Sequence, residues 1–549
     1  MRFGNTCVHI KEKSGKENVM NWKHVIAAVL TLSVAVSLFG YPGSVVESYE
    51  TPYGFSTGMT YDGEHLWIAD YKADKLIAVN PSTGEQVREI PSPGFWPMGL
   101  AWDGTHLWNL DRAQGKIFQV DPDDGTILNT LGAPGSDPQG LVWDGTTLWV
   151  SDAGEDALMM IDMSDGTAVR RHPAPANAPH GLTYDGTYLW CTDRMQDELH
   201  MIDPSTGQVM LVTDSPGPYP RGLAWDGNHL WNVDFETDSL YQLIREDDEH
   251  YRLDNTRAAR VTVTHEVTPY GNGTMQQLDV YLAIPGDLPQ QTVKNITFTP
   301  EDYATVTDQW DQEFAHFAYT DKTAGTTVRS KMVVDTEISD IHYYIFPDQC
   351  GTLDDIPAEI AETYTANGGK YRLDDPFIRK TAEELAGGKT NPYWIAREVF
   401  DYVRKTLEYE LVGGWNTAPV VLQRGTGSCS EYTFSFIALC RAAGVPARYV
   451  GSIVVRGDDA SLDEVFHRWP EVYLPNYGWV PMDPQGGDDP LPRDRAMNIG
   501  HLPNRFLITT ASGGNSDYLG WYYNAFEEYV LDPQVKVNVE TFGEWEPKK

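Results

Sequence analysis

Five times in the first half of the chain, a short apolar strand pattern runs into an Asp-Gly pair and is followed by Leu-Trp and a closing Asp. The copies begin at Gly58, Gly99, Gly140, Gly181 and Gly222, a constant period of 41 residues. In the first copy Asp62-Gly63 supplies a hairpin turn, Leu66-Trp67 opens a second strand that closes on Asp70, and Lys75–Val79 and Gln86–Ile90 alternate as third and fourth strands. A period near 40 residues with four strands per copy predicts the blades of a β-propeller. The strand-like Ser44–Tyr49 ahead of the first copy is placed to pair with the last blade and close the ring. Five blades are expected, with six as the alternative.

Beyond the repeats the pattern changes twice. Residues 259–265, 278–284, 316–319, 327–334 and 341–345 alternate as strands between turn residues and predict a small β-sandwich. Apolar positions then take a helical spacing over 375–385 and 392–406, with Ile395, Val399, Tyr402 and Val403 on one face. From Arg505 to Phe542 aromatic-rich alternation returns, and these strands are expected to complete the sheet of the last domain. The fold class is therefore multidomain: an N-terminal segment over 1–43, an all-β propeller over 44–255, a β-sandwich over 256–350, and an α+β domain with C-terminal strands over 351–549.

The α+β segment carries the chemistry. Gly425-Thr426-Gly427-Ser428 leads into Cys429, after which Tyr432, Phe436, Leu439, Cys440 and Ala443 fit a helix that starts at the cysteine. A thiol there gains from the helix dipole, which favours the thiolate. His467 precedes the strand Glu471–Leu474, Asn476-Tyr477-Gly478 is a turn, and Asp483 follows the strand begun by Trp479-Val480. Antiparallel pairing of that hairpin brings His467 and Asp483 to the same open end. Nucleophile, proton carrier and orienting carboxylate are then available in one place.

In order along the chain, Gly427-Ser428-Cys429, Leu439 to Val450, His467 to Tyr473 and Gly478 to Pro484 match four blocks, and the segment from about Asp374 to Asp489 resembles the transglutaminase-like domains of bacteria, a branch of the papain-like cysteine enzymes. The resemblance implies Cys429 as nucleophile, His467 as general base and acid, and Asp483 as its orienter. Gln423, six residues before the cysteine, lies at an offset similar to that of an oxyanion-binding glutamine in papain-like enzymes; the backbone N–H groups at the helix start are the other candidates. Arg468 departs from the pattern, which has a small residue there, and Gln485 stands where Thr is usual. The implied activity is acyl transfer through a thioester, as a peptidase or amidohydrolase, with protein cross-linking as the alternative. A non-catalytic scaffold built on the propeller is the rival from another class.

In the repeats, the recurrent Asp and Trp residues are what each blade needs in order to fold. Positions that vary between copies, such as Asn109, Cys191 and Asn232, are the better candidates for a ligand surface. The propeller is expected to bind substrate or a protein or glycan partner.

Composition narrows the partners. A formal charge of −38 argues against nucleic-acid phosphate, and the expected substrate is a protein or peptide. Near the start, Lys11, Lys13, Lys16 and Lys23 precede the apolar run Val25–Phe39, which is shorter than the roughly 20 residues needed to cross a bilayer and reads as a secretory signal. Secreted, periplasmic or cell-surface placement is expected, with an uncleaved N-terminal anchor as the alternative membrane attachment. Cys440 is about 16 Å along the helix from Cys429, too far for a disulfide. No Cys-x-x-Cys, His-Glu-x-x-His or phosphate-binding glycine loop is present, so neither metal nor cofactor is expected.

Overall fold

In the computed structural model, which describes residues 40–246, 250–411, 415–457 and 460–548, the 41-residue repeat folds as a four-stranded antiparallel sheet. In the second copy Pro97–Trp102, Leu107–Asp111, Lys116–Val120 and Ile127–Gly132 pair in chain order. Five four-stranded sheets follow one another, their first strands touching in sequence, and Pro220–Trp225 of the last touches Ser56–Tyr61 of the first. The last sheet takes its outer strand, Val45–Glu50, from the start of the described chain, where it pairs with Ser239–Ile244. The repeat glycines make the ring tight. A Cβ on Gly99 would sit 2.3 Å from Leu141 N, and one on Gly222 would sit 2.6 Å from Met59 N across the closure; only glycine tolerates that approach.

The turn residues Asp62, Asp103, Asp144, Asp185 and Asp226 each accept the indole N–H of the Trp five residues on, at 2.7–2.9 Å. The closing Asp70, Asp111, Asp152, Asp193 and Asp234 are fully buried and accept backbone N–H groups ahead of their own sheets. Both sets are scaffold. The varying residues Asn109, Cys191 and Asn232 are also fully buried, and the two amides donate to Gly99 O and Gly222 O. They belong to the interior, not to a ligand surface, because this strand position faces the packing between sheets.

Two further sheets form the sandwich. One contains Tyr251–Gly271, Gln291–Thr299 and Val328–Tyr343, the other Thr274–Ala283, Ala304–Thr307 and Glu313–Thr323. Each gains a strand from the far end of the chain: Val535–Pro547 pairs along Tyr251–Gly271, and Ala525–Leu531 pairs with Thr274–Ala283. Of the strands expected between Arg505 and Phe542 to complete the α+β sheet, Phe506–Ser512 does so, whereas these last two build the sandwich. Their aromatic alternation matches a half-buried strand in either sheet, and pattern alone does not select the partner.

Between those halves sits the α+β region. Its helices lie where the apolar spacing predicts them: Asp375 caps Pro376–Ala386 and Asn391 caps Pro392–Thr406, each with proline in the first turn. A third helix, Cys429–Ala442, is buried almost throughout. It packs on a sheet ordered Gly478–Pro481, His467–Leu474, Ala447–Val454 and Phe506–Ser512. The propeller docks on this region through Arg493 to Glu198, Gln208 to Asp401 at 3.0 Å, and Arg397 to Val209 O at 2.9 Å. The expected signal or anchor spans residues 1–43, of which 1–39 lie outside the described residues. Tyr41 just beyond stacks on Tyr344 with ring centroids 5.8 Å apart. No helix among the described residues is long and apolar enough to cross a membrane.

Candidate active site

Cys429 is the first residue of its helix, capped by Ser428. Three residues after the cap, the fully buried Glu431 accepts Ser428 N at 3.2 Å, Asn416 N at 2.9 Å and the Arg424 guanidinium at 2.8 Å. That carboxylate is consumed in fixing the helix start and the loop before it. The sequence reading assigned Glu431 no role, although Ser-x-x-Glu at a helix start is the capping-box pattern that could have revealed it.

Across from the thiol, the hairpin forms in the expected register, with Glu471 opposite Pro481 and Leu474 opposite Gly478. Its open end holds His467 Nε2 and Asp483 Oδ2 at 2.8 Å. The other carboxylate oxygen accepts Gln485 N at 3.0 Å, and Asp483 N donates to Asn498 O at 2.9 Å. The imidazole packs beside the rings of Trp469 and Phe506, each 5.7 Å away and 5.0 Å from one another. With Nε2 on the carboxylate, Nδ1 is the nitrogen left for the thiol.

The electrostatics agree with that arrangement. Burial alone would lower the His467 pKa, but the charge and hydrogen bond of Asp483, followed by the Cys429 thiol, outweigh it and raise it to about 10. Burial likewise acts to raise the Cys429 thiol, yet the bond to His467, the imidazolium charge and the Arg468 N–H bring it below its ordinary value. The three other cysteines among the described residues are also unpaired, and burial pushes each of them up. Only Cys429 among these four is biased towards thiolate.

Two supports escaped the sequence reading. Arg468 is fully buried, its guanidinium carbon 4.2–4.9 Å from the ring centres of Tyr523, Tyr449, Trp415 and Phe434, and it donates to Trp521 O at 2.5 Å. Cation–π contact in a desolvated cage accounts for an arginine where a small residue is usual. On the approach to His467, Phe466 has φ +59°, a left-handed conformation held by the buried Asp463, which accepts Phe466 N at 3.1 Å and Val454 N at 2.8 Å. Gln423 stands on the exposed face of Ala418–Arg424, and its side chain makes no hydrogen bond among the described residues.

A cavity of about 520 Å³ opens on the carboxylate side of the imidazole, lined by His467, Asp483, Trp469, Arg456, Arg505 and Phe506 among others. Among the described residues no group of three His, Cys, Asp or Glu side chains is arranged to hold a metal ion.

Residues 379–484 match the model of the transglutaminase-like superfamily. An uncharacterized protein of Haemophilus influenzae is 23% identical over 38% of this chain and 64% of its own length. The uncharacterized protein YebA of Bacillus subtilis is 37% identical over 23% of this chain and 20% of its own. The chain thus spans less than two thirds of either relative. A solved structure of a candidate cysteine protease from Cytophaga hutchinsonii is 15% identical, covering 54% of this chain and all of that one, with a TM-score of 0.39. Residues 379–484 match the transglutaminase-like superfamily and thus form a domain of that superfamily, behind an N-terminal β-propeller.

Proposed function

We propose that this chain is an exported cysteine-dependent acyl-transfer enzyme that hydrolyses peptide or carboxamide bonds. The observation that carries the reading is the 2.8 Å bond from His467 Nε2 to Asp483, which leaves the other ring nitrogen for a thiol already biased towards thiolate. In the proposed cycle Cys429 Sγ attacks the carbonyl carbon. The oxyanion is met by the unpaired N–H groups at the start of the Cys429 helix, with Gln423 as a supplementary donor. His467 gives its proton to the leaving nitrogen, the C–N bond breaks, and a thioester remains on Cys429. The neutral imidazole then takes a proton from water as its oxygen attacks the thioester, releasing acid and regenerating thiolate and imidazolium. An amine in place of water would give cross-linking by the same steps.

Export is supported by the lysines ahead of the apolar run Val25–Phe39 and is tested by fractionating producing cells. The chemistry is tested by following iodoacetamide labelling of Cys429 across pH, together with release of amine or peptide from a peptide library. Labelling well below the usual thiol pKa of about 8.5, slowed by His467→Ala, supports the reading. Labelling of Cys429 no faster than an unactivated thiol, with no turnover of any library member, overturns it. Gln423→Ala completes the test: a loss on the order of 10²-fold in turnover assigns it the second oxyanion contact, and an unchanged rate leaves that task to the backbone.

A further inference from the structure

At the end of the ring where the first strands begin, the residue before each repeat glycine is different in every copy: Thr57, Met98, Gln139, His180 and Arg221. The flanking positions are nearly invariant, with Pro before four of the five and Gly after all of them. In an array whose regularity is dictated by folding, this is where the copies have been made unlike each other. Gln139 and His180 are buried, and both Gln139 Oε1 and Arg221 Nε lack any hydrogen-bond partner.

Cations gather around this position. The Arg221 guanidinium lies 4.9 Å from the ring centre of Tyr219 and 5.4 Å from that of Phe235, Arg194 lies 5.5 Å from Tyr219, and Arg112 lies 5.1 Å from Trp96. Phe55, Tyr71, Trp96, Tyr219 and Phe235 contact one another in a chain of rings, with centroids 5.4–6.3 Å apart. Arg112 pairs with Asp137, but Arg194 and Arg221 donate only to the Tyr219 hydroxyl and have no carboxylate partner among the described residues. Burial first, and then the charges of Arg221, Arg194 and Arg112, push His180 down to about 3. Rings rather than acids hold Arg194 and Arg221, and their charge is left for a ligand.

We infer that this propeller mouth binds carboxylates of an acidic peptide segment, with Arg221 and Arg194 as anchors. A peptide fits better than an acidic sugar, because cations already cover the faces of Phe55, Trp96, Tyr219 and Phe235 that a pyranose would stack on. An extended chain needs only the guanidinium edges and the exposed apolar rim, where Phe95 is 78% accessible. The overall charge of −38 repels acidic ligands at long range, so attachment depends on contact within about 8 Å at physiological salt, the range over which local cations escape screening.

Binding of a fluorescein-labelled hexaglutamate to the full chain, followed by anisotropy at low and physiological salt, tests this. Hexagalacturonate of equal charge and hexaglutamine serve as competitors. Hexaglutamate is expected to bind and to weaken with salt. Arg194→Gln, at an exposed side chain, is expected to weaken it about tenfold, and addition of Arg221→Gln to abolish it, while Arg88→Gln, which removes an outer-face arginine paired with Asp123, leaves it unchanged. Failure to bind hexaglutamate, an equal loss with Arg88→Gln, no loss with Arg194→Gln, or tighter binding of hexagalacturonate would each overturn the inference.

Discussion

The propeller and the α+β domain both hold half-buried aspartates, and they use them in opposite ways. Asp144 accepts the N–H groups of Thr146 and Thr147, the Thr146 hydroxyl and the Trp149 indole, all within five residues of itself. Asp483 instead gives one oxygen to a histidine sixteen residues away on another strand. The first carboxylate is spent where it stands, and its identity recurs in every copy because every copy must make the same turn. The second is held by a unique partner and polarises it. Local, repeated satisfaction is the mark of folding; a charge delivered across elements to a titratable group is the mark of chemistry.

The largest effects should separate these two uses. Cys429→Ala is expected to remove turnover of a peptide substrate by more than about 10³-fold, and Asp483→Asn to cost about 10²-fold or more by releasing the imidazole from its tautomer. Neither should change the cooperativity of propeller unfolding. Comparable losses of turnover and of propeller protection, read by kinetics and by hydrogen exchange on the same samples, would erase the distinction.

Next in size is the junction between the regions. Glu198, buried in the propeller, takes both Arg493 and the fully buried His200. Against its burial, the bonds from Arg493 and His200 hold its pKa at about 2. Arg493 lies in the short helix Pro492–Ala496, and Asn498 just after that helix accepts Asp483 N. The propeller therefore braces the loop that carries the site's carboxylate. Arg493→Met takes the arginine from a buried carboxylate and leaves it only His200, a change worth up to roughly 3–5 kcal/mol, and it should lower turnover by about tenfold while shifting the pH profile of Cys429 labelling. A stability loss with an unmoved profile would make the pair a structural tether only.

Legibility in the sequence follows the same division. The ring could be read because a 41-residue period repeats its turn chemistry five times, and the helices because apolar positions recur at helical spacing over 375–385 and 392–406. Cys429, His467 and Asp483 could be placed together because a hairpin with a short turn fixes which strand ends meet. What could not be read was pairing at long range. Val535–Pro547 finds Tyr251–Gly271 nearly three hundred residues away, and no local preference encodes that choice. The cage of Arg468 is hidden for the same reason, since its rings come from segments as far apart as Trp415 and Tyr523. Asn109 and Asn232 vary between copies yet are fully buried, because burial is set by the strand's face and not by variation within a repeat.

A smaller effect sharpens the comparison on the propeller side. Asp144→Asn keeps the shape of the turn but weakens its charge-assisted bonds, at an expected cost of about 1–3 kcal/mol. Hydrogen exchange should rise in residues 138–173 with turnover unchanged. If turnover falls with it, the blades transmit to the site by more than the Glu198–Arg493 contact.

The smallest expected effect lies in the pH dependence, where the two regions should fail at opposite ends of the scale. His467 has its folded pKa raised to about 10 from an ordinary value near 6.5. A raised base stabilises the fold fully below the unfolded value, and that contribution disappears as pH climbs through the folded one. Asp144 shifts the other way: burial opposes it, but the bonds from Thr146, Thr147 and Trp149 win and lower its pKa. Its contribution is complete above the unfolded value near 3.9 and is lost as pH falls through the folded one. Alkali should therefore loosen the His467 hairpin first and acid the third blade first, each by a few degrees in melting temperature. Hydrogen exchange at about pH 2 and about pH 11, each against pH 7, reads this directly: His467→Gln should flatten only the alkaline change and Asp144→Asn only the acid one, and a variant that flattens both would show that the two regions titrate as a single unit.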